Sequence, residues 1–524
     1  MNILHAIDRV ARRHGGAVAL RCGASTLDYR ALLGIASGFA GHLVRGGLRP
    51  GDRVGVFMHN EPEYLPALLG IWKAGGVAVP LNYMFTASTL AHAVRDSGAS
   101  WLVTLASDAS RLLGSVDSVA PEHVVTVGTA AGPGAGVCFG EAIAGDRLEA
   151  TVPRLDRDDA LLMYTSGSTG VPKGVRLTHR NVAAECEAVV DLWDLGPEDH
   201  GLVATPLFHV GGLCWAALPL FLAGGSVTLR RWNAAGWLDD VQALRPTVAT
   251  LVPTMMIDIV NLLGTGQREL DSLRICGIGG SALPEARLRA FTEAVGVVPV
   301  NAYGQTEQCG LAITQHPGRP RQEGSLGRPL EPIVEWRIVD TATGRAAAPG
   351  GVGELQVRGD AVAAGYWRLP EVDRQRIVEG WLRTGDLVRQ GEGGDLFYVE
   401  RMDDMIISGG ENVYPQMVEG HLQGCPLIAE VAVIGTPHER FTQQVTAIVR
   451  PVRPDVTARD IADFCAGHPD LRGLHRPRRI EIVTQIPRTG SNKIDRQALK
   501  AAFSTPTAAE KAVPVGRHRQ ARRV

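Results

Sequence analysis

Residues 54 to 80 restrict the fold of this chain more tightly than any other stretch. Val54-Gly-Val-Phe-Met58 is an apolar run of strand character. Between Pro62 and Ala74, Leu65, Leu68, Leu69 and Trp72 stand at i, i+3, i+4 and i+7, the spacing of one buried helix face. Pro62 suits a first helical turn, Gly75-Gly76 ends the helix, and Val77-Ala-Val-Pro80 reads as a second strand. Strand, helix and strand in this order make a βαβ unit, whose two strands pair in parallel. The same alternation recurs through Trp101-Leu-Val-Thr104, Ser226-Val-Thr-Leu229, Val248-Ala-Thr-Leu-Val252 and Val297-Val-Pro-Val300, so the N-terminal part is expected to be α/β.

From about residue 325 to about 400 the texture changes to short β-prone runs between Gly turns: Val334–Val339, Gly353–Arg358 and Leu396–Val399. An antiparallel subdomain or small β-barrel is expected there. Beyond it, strands at Val431–Ile434 and Gln444–Val449 and an amphipathic helix at Thr457–Cys465 indicate a small α+β domain. The expected division is a large domain over 1–402, a small one over 403–503, and a disordered basic tail over 504–524 that ends Gly516-Arg-His-Arg-Gln-Ala-Arg-Arg-Val524.

Composition excludes several classes. Lys and Arg number 53 against 55 Asp and Glu, which gives no general attraction to nucleic acid or an anionic membrane. No uninterrupted run of about 18 apolar residues is present, so no membrane span is expected. Met1–Val10 carries Asp8 inside its apolar stretch and reads as a first helix, not a signal peptide. The eight cysteines lack Cys-x-x-Cys or metal-ligand spacing, which suits reduced thiols and a cytoplasmic location. Oligomeric state is not fixed by the sequence.

Chemistry concentrates first in Tyr164-Thr-Ser-Gly-Ser-Thr-Gly-Val-Pro-Lys-Gly-Val175. Glycines let successive backbone N–H groups converge on an anion, Thr165, Ser166, Ser168 and Thr169 add hydroxyl donors, and Lys173 adds charge. The order is not that of a Walker A loop, because Lys173 is followed by Gly174. A Ser/Gly-rich run is by itself most often a surface turn. Strands at Leu161–Tyr164 and Val175–Thr178 on either side favour a loop built to hold phosphate.

Other residues supply what nucleotide chemistry needs. Asn301-Ala-Tyr-Gly-Gln-Thr-Glu307 offers an aromatic face, a Gly turn, a hydroxyl and a carboxylate, a set that can stack a base, donate to phosphate and hold Mg²⁺. Trp381-Leu-Arg-Thr-Gly-Asp386 presents an acid suited to ribose hydroxyls, and Pro487-Arg-Thr-Gly-Ser-Asn-Lys493 holds a second lysine in a polar loop. Gly277-Ile-Gly-Gly-Ser-Ala282 fits a loose dinucleotide pattern, but its βαβ context and ribose acid find no support in the sequence.

With Pro206-Leu-Phe-His209, Gly353–Gly359, Arg383–Asp386 and Arg401-Met-Asp-Asp-Met-Ile-Ile-Ser-Gly-Gly-Glu-Asn-Val-Tyr-Pro415, these motifs stand in order. From about residue 5 to about 500 the chain resembles the adenylate-forming superfamily of acyl-CoA synthetases, peptide adenylation domains and luciferase, and is most similar to bacterial fatty-acid or aryl-acid CoA ligases. The resemblance implies attack of a carboxylic acid on the α-phosphate of Mg·ATP, release of pyrophosphate, and capture of the acyl adenylate by the thiol of CoA.

By position, the resemblance gives Thr165, Ser166, Gly167, Ser168, Thr169, Gly170 and Lys173 the β- and γ-phosphates, and Gly279, Gly280, Ser281, Asn301, Tyr303 and Gly304 the adenine. Thr306 contacts the α-phosphate, Glu307 holds Mg²⁺, and Asp386 and Arg401 bind ribose. Lys493 bridges acid and α-phosphate as charge moves between them, and His209 gates the acid pocket. Asp403 is the hinge of a mobile C-terminal domain, and Gly409 and Gly410 border the thiol tunnel. Alone, His209 reads as a structural histidine, Arg401 as a surface cation and Asp403-Asp404 as a solvated pair. Asn492 and Glu400 depart from residues common in the family.

The acid pocket is expected along His209–Leu213, Thr254–Met256, Gly279–Ala282 and Gly304–Leu311, closed by Trp215 and Met255. Three alternatives stand beside a CoA ligase. They are an adenylation enzyme that loads a separate carrier protein, an enzyme passing an unusual oxyacid to an amine, and a non-catalytic nucleotide-binding protein. Retention of Lys493, Glu307 and Asp386 argues against the last.

Overall fold

Strands Arg53–Phe57 and Val77–Pro80 pair in parallel and are joined by helix Tyr64–Lys73, as their spacing requires. The surroundings differ from the expectation of one buried face: every residue from Tyr64 to Trp72 is buried. Helix Tyr29–Arg45 covers the second side, and Gly70 lets it approach, because a Cβ there would stand 2.9 Å from the Ala36 carbonyl oxygen. Trp72 Nε1 donates to the Ala160 carbonyl at 2.8 Å, so the buried indole keeps its hydrogen bond.

This is a computed structural model describing residues 1–113, 116, 119–128, 136–165, 171–263, 270–281, 285–408, 411–489 and 494–504. The chain forms two units, one of Met1–Thr384 with Arg389–Phe397 and one of Gly385–Val388 with the chain from Tyr398. The basic tail beyond Ser504 lies outside the described residues.

In the first unit a nine-stranded sheet has parallel strands Val300–Tyr303, Ile275–Gly279, Val248–Leu251, His200–Val203, Ser226–Leu229 and Val18–Cys22 side by side. Antiparallel strands finish it at both edges. Pairing of the first of these strands begins at Val300, not at Val297 as the apolar run suggests. Pro299 has no N–H to give a ladder, so the strand starts only at the next residue.

An eight-stranded sheet contains the βαβ pair, strand Ala99–Leu105, and the hairpin Asp159–Thr165 with Lys173–Thr178. One apolar core joins the two sheets through the helices Ile3–Arg13, Tyr29–Arg45, Tyr64–Lys73 and His179–Trp193. The stretch expected to be antiparallel forms a five-stranded sheet in which Glu335–Val339 pairs with Val352–Arg358 and Ile377–Val378 with Trp381–Gln390.

The second unit is α+β. Its centre is the antiparallel pair Ile428–His438 and Thr442–Pro451, with Arg479–Ile482 added in parallel. Helix Ala458–Gly467 starts at Thr457, whose hydroxyl and Asp460 form a reciprocal capping box.

Asn60, just beyond strand Arg53–Phe57, ties the sheets together. Its Nδ2 donates to the Thr205 carbonyl at 3.0 Å and its Oδ1 accepts from Leu207 N–H at 3.0 Å, which fixes the Pro206-Leu-Phe-His209 segment. Asn60→Ala leaves these buried groups without partners and is expected to lower the unfolding free energy by about 1–3 kcal/mol in urea denaturation. Asn60→Asp restores the acceptor alone and is expected to regain only part of the loss.

Candidate active site

In an open α/β sheet, the loops leaving the carboxyl ends of parallel strands gather along one edge, where ligands bind. Four adjacent strands of the nine-stranded sheet end there. Pro206–His209 follows His200–Val203, helix Pro253–Leu263 starts after Val248–Leu251 with Pro253–Met256 as its first turn, Gly280-Ser281 follows Ile275–Gly279, and Gly304–Glu307 follows Val300–Tyr303. Gly279 pairs with Ala302, so the proposed adenine residues Gly279, Asn301 and Tyr303 are neighbours across the ladder.

The loop after Tyr303 is tightly wound. Gln305 and Gln308 exchange side-chain-to-backbone bonds around the short turn Thr306–Gln308, and Gln305 Nε2 also donates to the Thr384 carbonyl at 3.0 Å. Gly304 has no room for a side chain, since a Cβ would lie 2.2 Å from the Gly310 carbonyl oxygen. Asn301 Nδ2 donates to the Ser325 carbonyl at 3.2 Å, which braces the strand from the next segment. His209 is exposed, with its ring 4.2 Å from that of Phe208.

The phosphate loop is closed by a β-hairpin, in which Thr165 and Lys173 are the last paired residues before it. Ser166, Gly167, Ser168, Thr169 and Gly170 lie outside the described residues. Gly174 is needed for packing: a Cβ would meet Leu162 at 2.9 Å, Trp367 at 3.2 Å and Tyr164 at 3.3 Å. Tyr164 donates its hydroxyl to Asp96 Oδ2 at 2.6 Å, and Trp367 Nε1 donates to the Asp96 carbonyl at 2.9 Å.

Strand Gly365–Tyr366 adds to the free side of the hairpin, pairing Tyr366 with Val175. The Tyr366 hydroxyl then donates to Glu307 Oε1 at 2.7 Å, while Ala363 N–H donates to the Glu307 carbonyl at 2.9 Å. The edge of the eight-stranded sheet thereby orients the carboxylate carried by the nine-stranded sheet. Burial, then the charge of Glu307, raises the Tyr366 pKa and keeps its hydroxyl a donor at neutral pH. Neither Tyr366 nor Asn60 belongs to the sequence motifs. The sequence signal for Tyr366 is limited to an aromatic residue in an otherwise small-residue run, Ala361–Tyr366.

Within the second unit Asp386 is buried, and its Oδ1 accepts from Arg401 Nη1 at 2.8 Å, so the two proposed ribose residues form one charged pair. The Asp403-Asp404 segment is tethered. Lys500 Nζ donates to the Asp403 carbonyl at 2.9 Å and pairs with Asp404 at 3.1 Å, and Arg496 Nε lies 3.4 Å from Asp404. Gly409, Gly410 and Lys493 lie outside the described residues.

Glu400 is buried and accepts N–H bonds from Arg401 at 2.9 Å and Gln416 at 2.7 Å. Burial outweighs those bonds and raises its pKa from 4.5 to about 7. The folded chain therefore keeps a proton that the unfolded chain releases. The resulting stabilisation is complete below about pH 4.5 and is lost as pH rises through about 7. Glu400→Gln is expected to flatten this fall, measured by hydrogen exchange of strands Ile428–His438 and Thr442–Pro451 in the intact protein between pH 5 and about 8.

Comparison with known proteins agrees with this arrangement. Residues 7–367 match the family model of the AMP-binding enzyme, and residues 417–493 match that of the AMP-binding enzyme C-terminal domain. A feruloyl-CoA synthase of Amycolatopsis sp. is 36% identical over 499 residues, covering 94% of this chain and 98% of the relative. A long-chain-fatty-acid–CoA ligase of Escherichia coli O157:H7 is 32% identical, covering 90% of each chain. The crystal structure of ATP-bound MatB from Rhodopseudomonas palustris superposes with a TM-score of 0.85 at 28% identity, covering 96% of this chain and 99% of that one.

The chain belongs to the AMP-binding, adenylate-forming enzyme family. Within it, the chain is an AMP-forming acid–thiol ligase of the acyl-CoA synthetase class.

Proposed function

We propose that this enzyme activates a hydrophobic aryl or fatty acid with Mg·ATP in the cytoplasm and transfers the acyl group to CoA. The observation that carries this reading is the convergence of four strand ends and the segments beyond them at one sheet edge, with Glu307 held there by Tyr366. Two of those segments, Pro206–His209 and the helical turn Pro253–Met256, are largely apolar and suit an acid's hydrocarbon part. The 36% identity to a feruloyl-CoA synthase and the 32% identity to a fatty-acid ligase support the same two acid classes.

In this reading Thr165 and Lys173, at the mouth of the hairpin, hold the departing pyrophosphate half of ATP together with Ser166 to Gly170. Gly279, Gly280, Ser281, Asn301, Tyr303 and Gly304 hold adenine, and Asp386 with Arg401 holds ribose. Thr306 donates to the α-phosphate. Glu307 suits Mg²⁺: it is a half-buried carboxylate fixed on one oxygen by a neutral donor, and Mg²⁺ takes hard oxygen ligands. When bound, Mg²⁺ neutralises phosphate charge. Lys493 stabilises charge passing from the acid to the α-phosphate, His209 gates the acid pocket, and Gly409 and Gly410 leave room for the pantetheine arm. Asp403 is the hinge, and Lys500 and Arg496 tether its segment within the second unit.

Pyrophosphate release screened over fatty, aryl and amino acids, with and without CoA, tests the reading. Aryl or fatty acids with CoA are expected to give the fastest turnover, whereas thioester formation only on a carrier protein would replace CoA as acceptor. Lys493→Ala is expected to abolish acid-dependent ATP–pyrophosphate exchange while retaining thioester formation from a pre-made adenylate; exchange at the wild-type rate contradicts the role given to the lysine. Tyr366→Phe releases one oxygen of Glu307 and is expected to raise the Mg²⁺ concentration for half-maximal exchange several-fold, with little change in the KM for the acid.

A further inference from the structure

Among the described residues four glutamates are buried: Glu185, Glu354, Glu400 and Glu419. Three have partners. Glu354 pairs with Arg383 at 3.1 Å, Glu419 accepts from Arg496 at 2.9 and 3.0 Å, and Glu400 accepts two backbone N–H bonds. Glu185, on helix His179–Trp193, is 0% exposed, and neither of its carboxyl oxygens has a hydrogen-bond partner among the described residues. A buried carboxyl without a partner costs several kcal/mol in an apolar setting and calls for a reason.

Its position supplies one. A Cβ built on Gly310 would stand 3.4 Å from Glu185 Oε1 and 3.4 Å from the Val210 Cβ, so the carboxyl lies next to Gly310, three residues beyond Glu307, where that segment packs against the residue after His209. The Nε1 atoms of Trp193 and Trp215, in the same core, are also buried without partners, and the two rings are 5.6 Å apart. The benzo edge of Trp215 lies over Gly277 and Gly279, where added Cβ atoms would stand 2.6 and 3.3 Å from it. Aromatic side chains and unused polar groups gathered in one core suit a ring bearing a polar substituent better than an alkyl chain.

We propose that Glu185 is a specificity-determining residue that hydrogen-bonds the ring hydroxyl of a hydroxyaryl carboxylic acid bound beside Gly310. This rests on the acid-activating reading above and narrows its substrate class. Burial, and next the neighbouring Cys214, raise the Glu185 pKa well above the carboxylate range, partly offset by the Leu311 backbone, and so favour the neutral acid. A neutral carboxyl both donates to and accepts from a phenol. A site built around such a bond rejects the analogue that lacks the hydroxyl, because its own polar group is then left unpaired.

The test compares pyrophosphate release with 4-hydroxycinnamate and cinnamate for the wild type, Glu185→Leu and Glu185→Gln. The wild type is expected to favour the hydroxylated acid by about tenfold or more in kcat/KM. Glu185→Leu is expected to bring the ratio of the two acids close to one, and Glu185→Gln, which keeps a donor and an acceptor, to retain an intermediate ratio. An unchanged ratio in Glu185→Leu, or a wild type that activates alkyl acids but neither aryl acid, overturns the assignment of Glu185. A wild type that releases no pyrophosphate with any acid overturns the acid-activating reading instead.

Discussion

Parallel strands cannot be joined by tight turns, so the parallel strands from His200–Val203 to Val300–Tyr303 are joined by crossovers and end at the same carboxyl edge. The residues assigned to adenine, α-phosphate and metal follow from that one constraint: Gly279, Asn301, Tyr303, Thr306 and Glu307 are the ends of two adjacent strands and the turns beyond them. What parallel pairing does not supply is orientation, because a loop at a sheet edge can point its side chains many ways. Here orientation comes from the other sheet. Strand Gly365–Tyr366 pairs with the hairpin below the glycine-rich loop, and the Tyr366 hydroxyl reaches Glu307. One hydrogen bond thus sets the carboxylate proposed for Mg²⁺ against the hairpin strand that starts at Lys173.

The acids of this chain follow a consistent electrostatic logic. Asp386 is buried beside Arg401 and Glu419 beside Arg496, so each charge is compensated where it is desolvated. Glu400 has backbone donors but no ion pair as near, and its pKa moves up to about 7. Glu185 has no ion pair and only the Leu311 backbone to offset its burial, and its pKa is raised well above the carboxylate range. The series runs from structural ion pair to unpaired acid, and the last member borders the loops that carry the site.

Much of the fold was legible from local pattern. The strand at Val77–Pro80, the capped helix after Thr457 and the hairpin around the glycine-rich loop depend on residues within a few positions of one another, which periodicity and turn chemistry report directly. The strand expected from Val297 begins at Val300 for an equally local reason, the missing N–H of Pro299. Burial of Tyr64–Trp72 on every side was not legible, because the covering helix Tyr29–Arg45 lies far away in sequence. The site divides in the same way. Thr165, Lys173, Asn301, Glu307 and Asp386 stand in motifs. Tyr366, 59 residues from its acceptor, and Asn60, 145 from the Thr205 carbonyl it binds, carry no signal until the chain is folded.

Long-range placement of this kind also explains why an unpaired acid persists on helix His179–Trp193. A leucine there would bury more apolar surface and remove a desolvation cost, so stability alone favours replacement. Natural chains stand only modestly above the stability they need, and a cost of several kcal/mol is a large part of that margin. The neighbouring residues sharpen the contrast. Cys186, Cys214, Cys309 and Leu311 are small or apolar and buried, a setting in which only the Leu311 backbone compensates the carboxyl, and only in part. A partner from outside restores the balance whenever it binds, and the group it must bring is a hydrogen-bonding substituent at the end of the acid remote from its reacting carboxylate. Binding energy gained there does not touch the chemistry, yet it positions the carboxylate for attack and separates acids that differ by one oxygen.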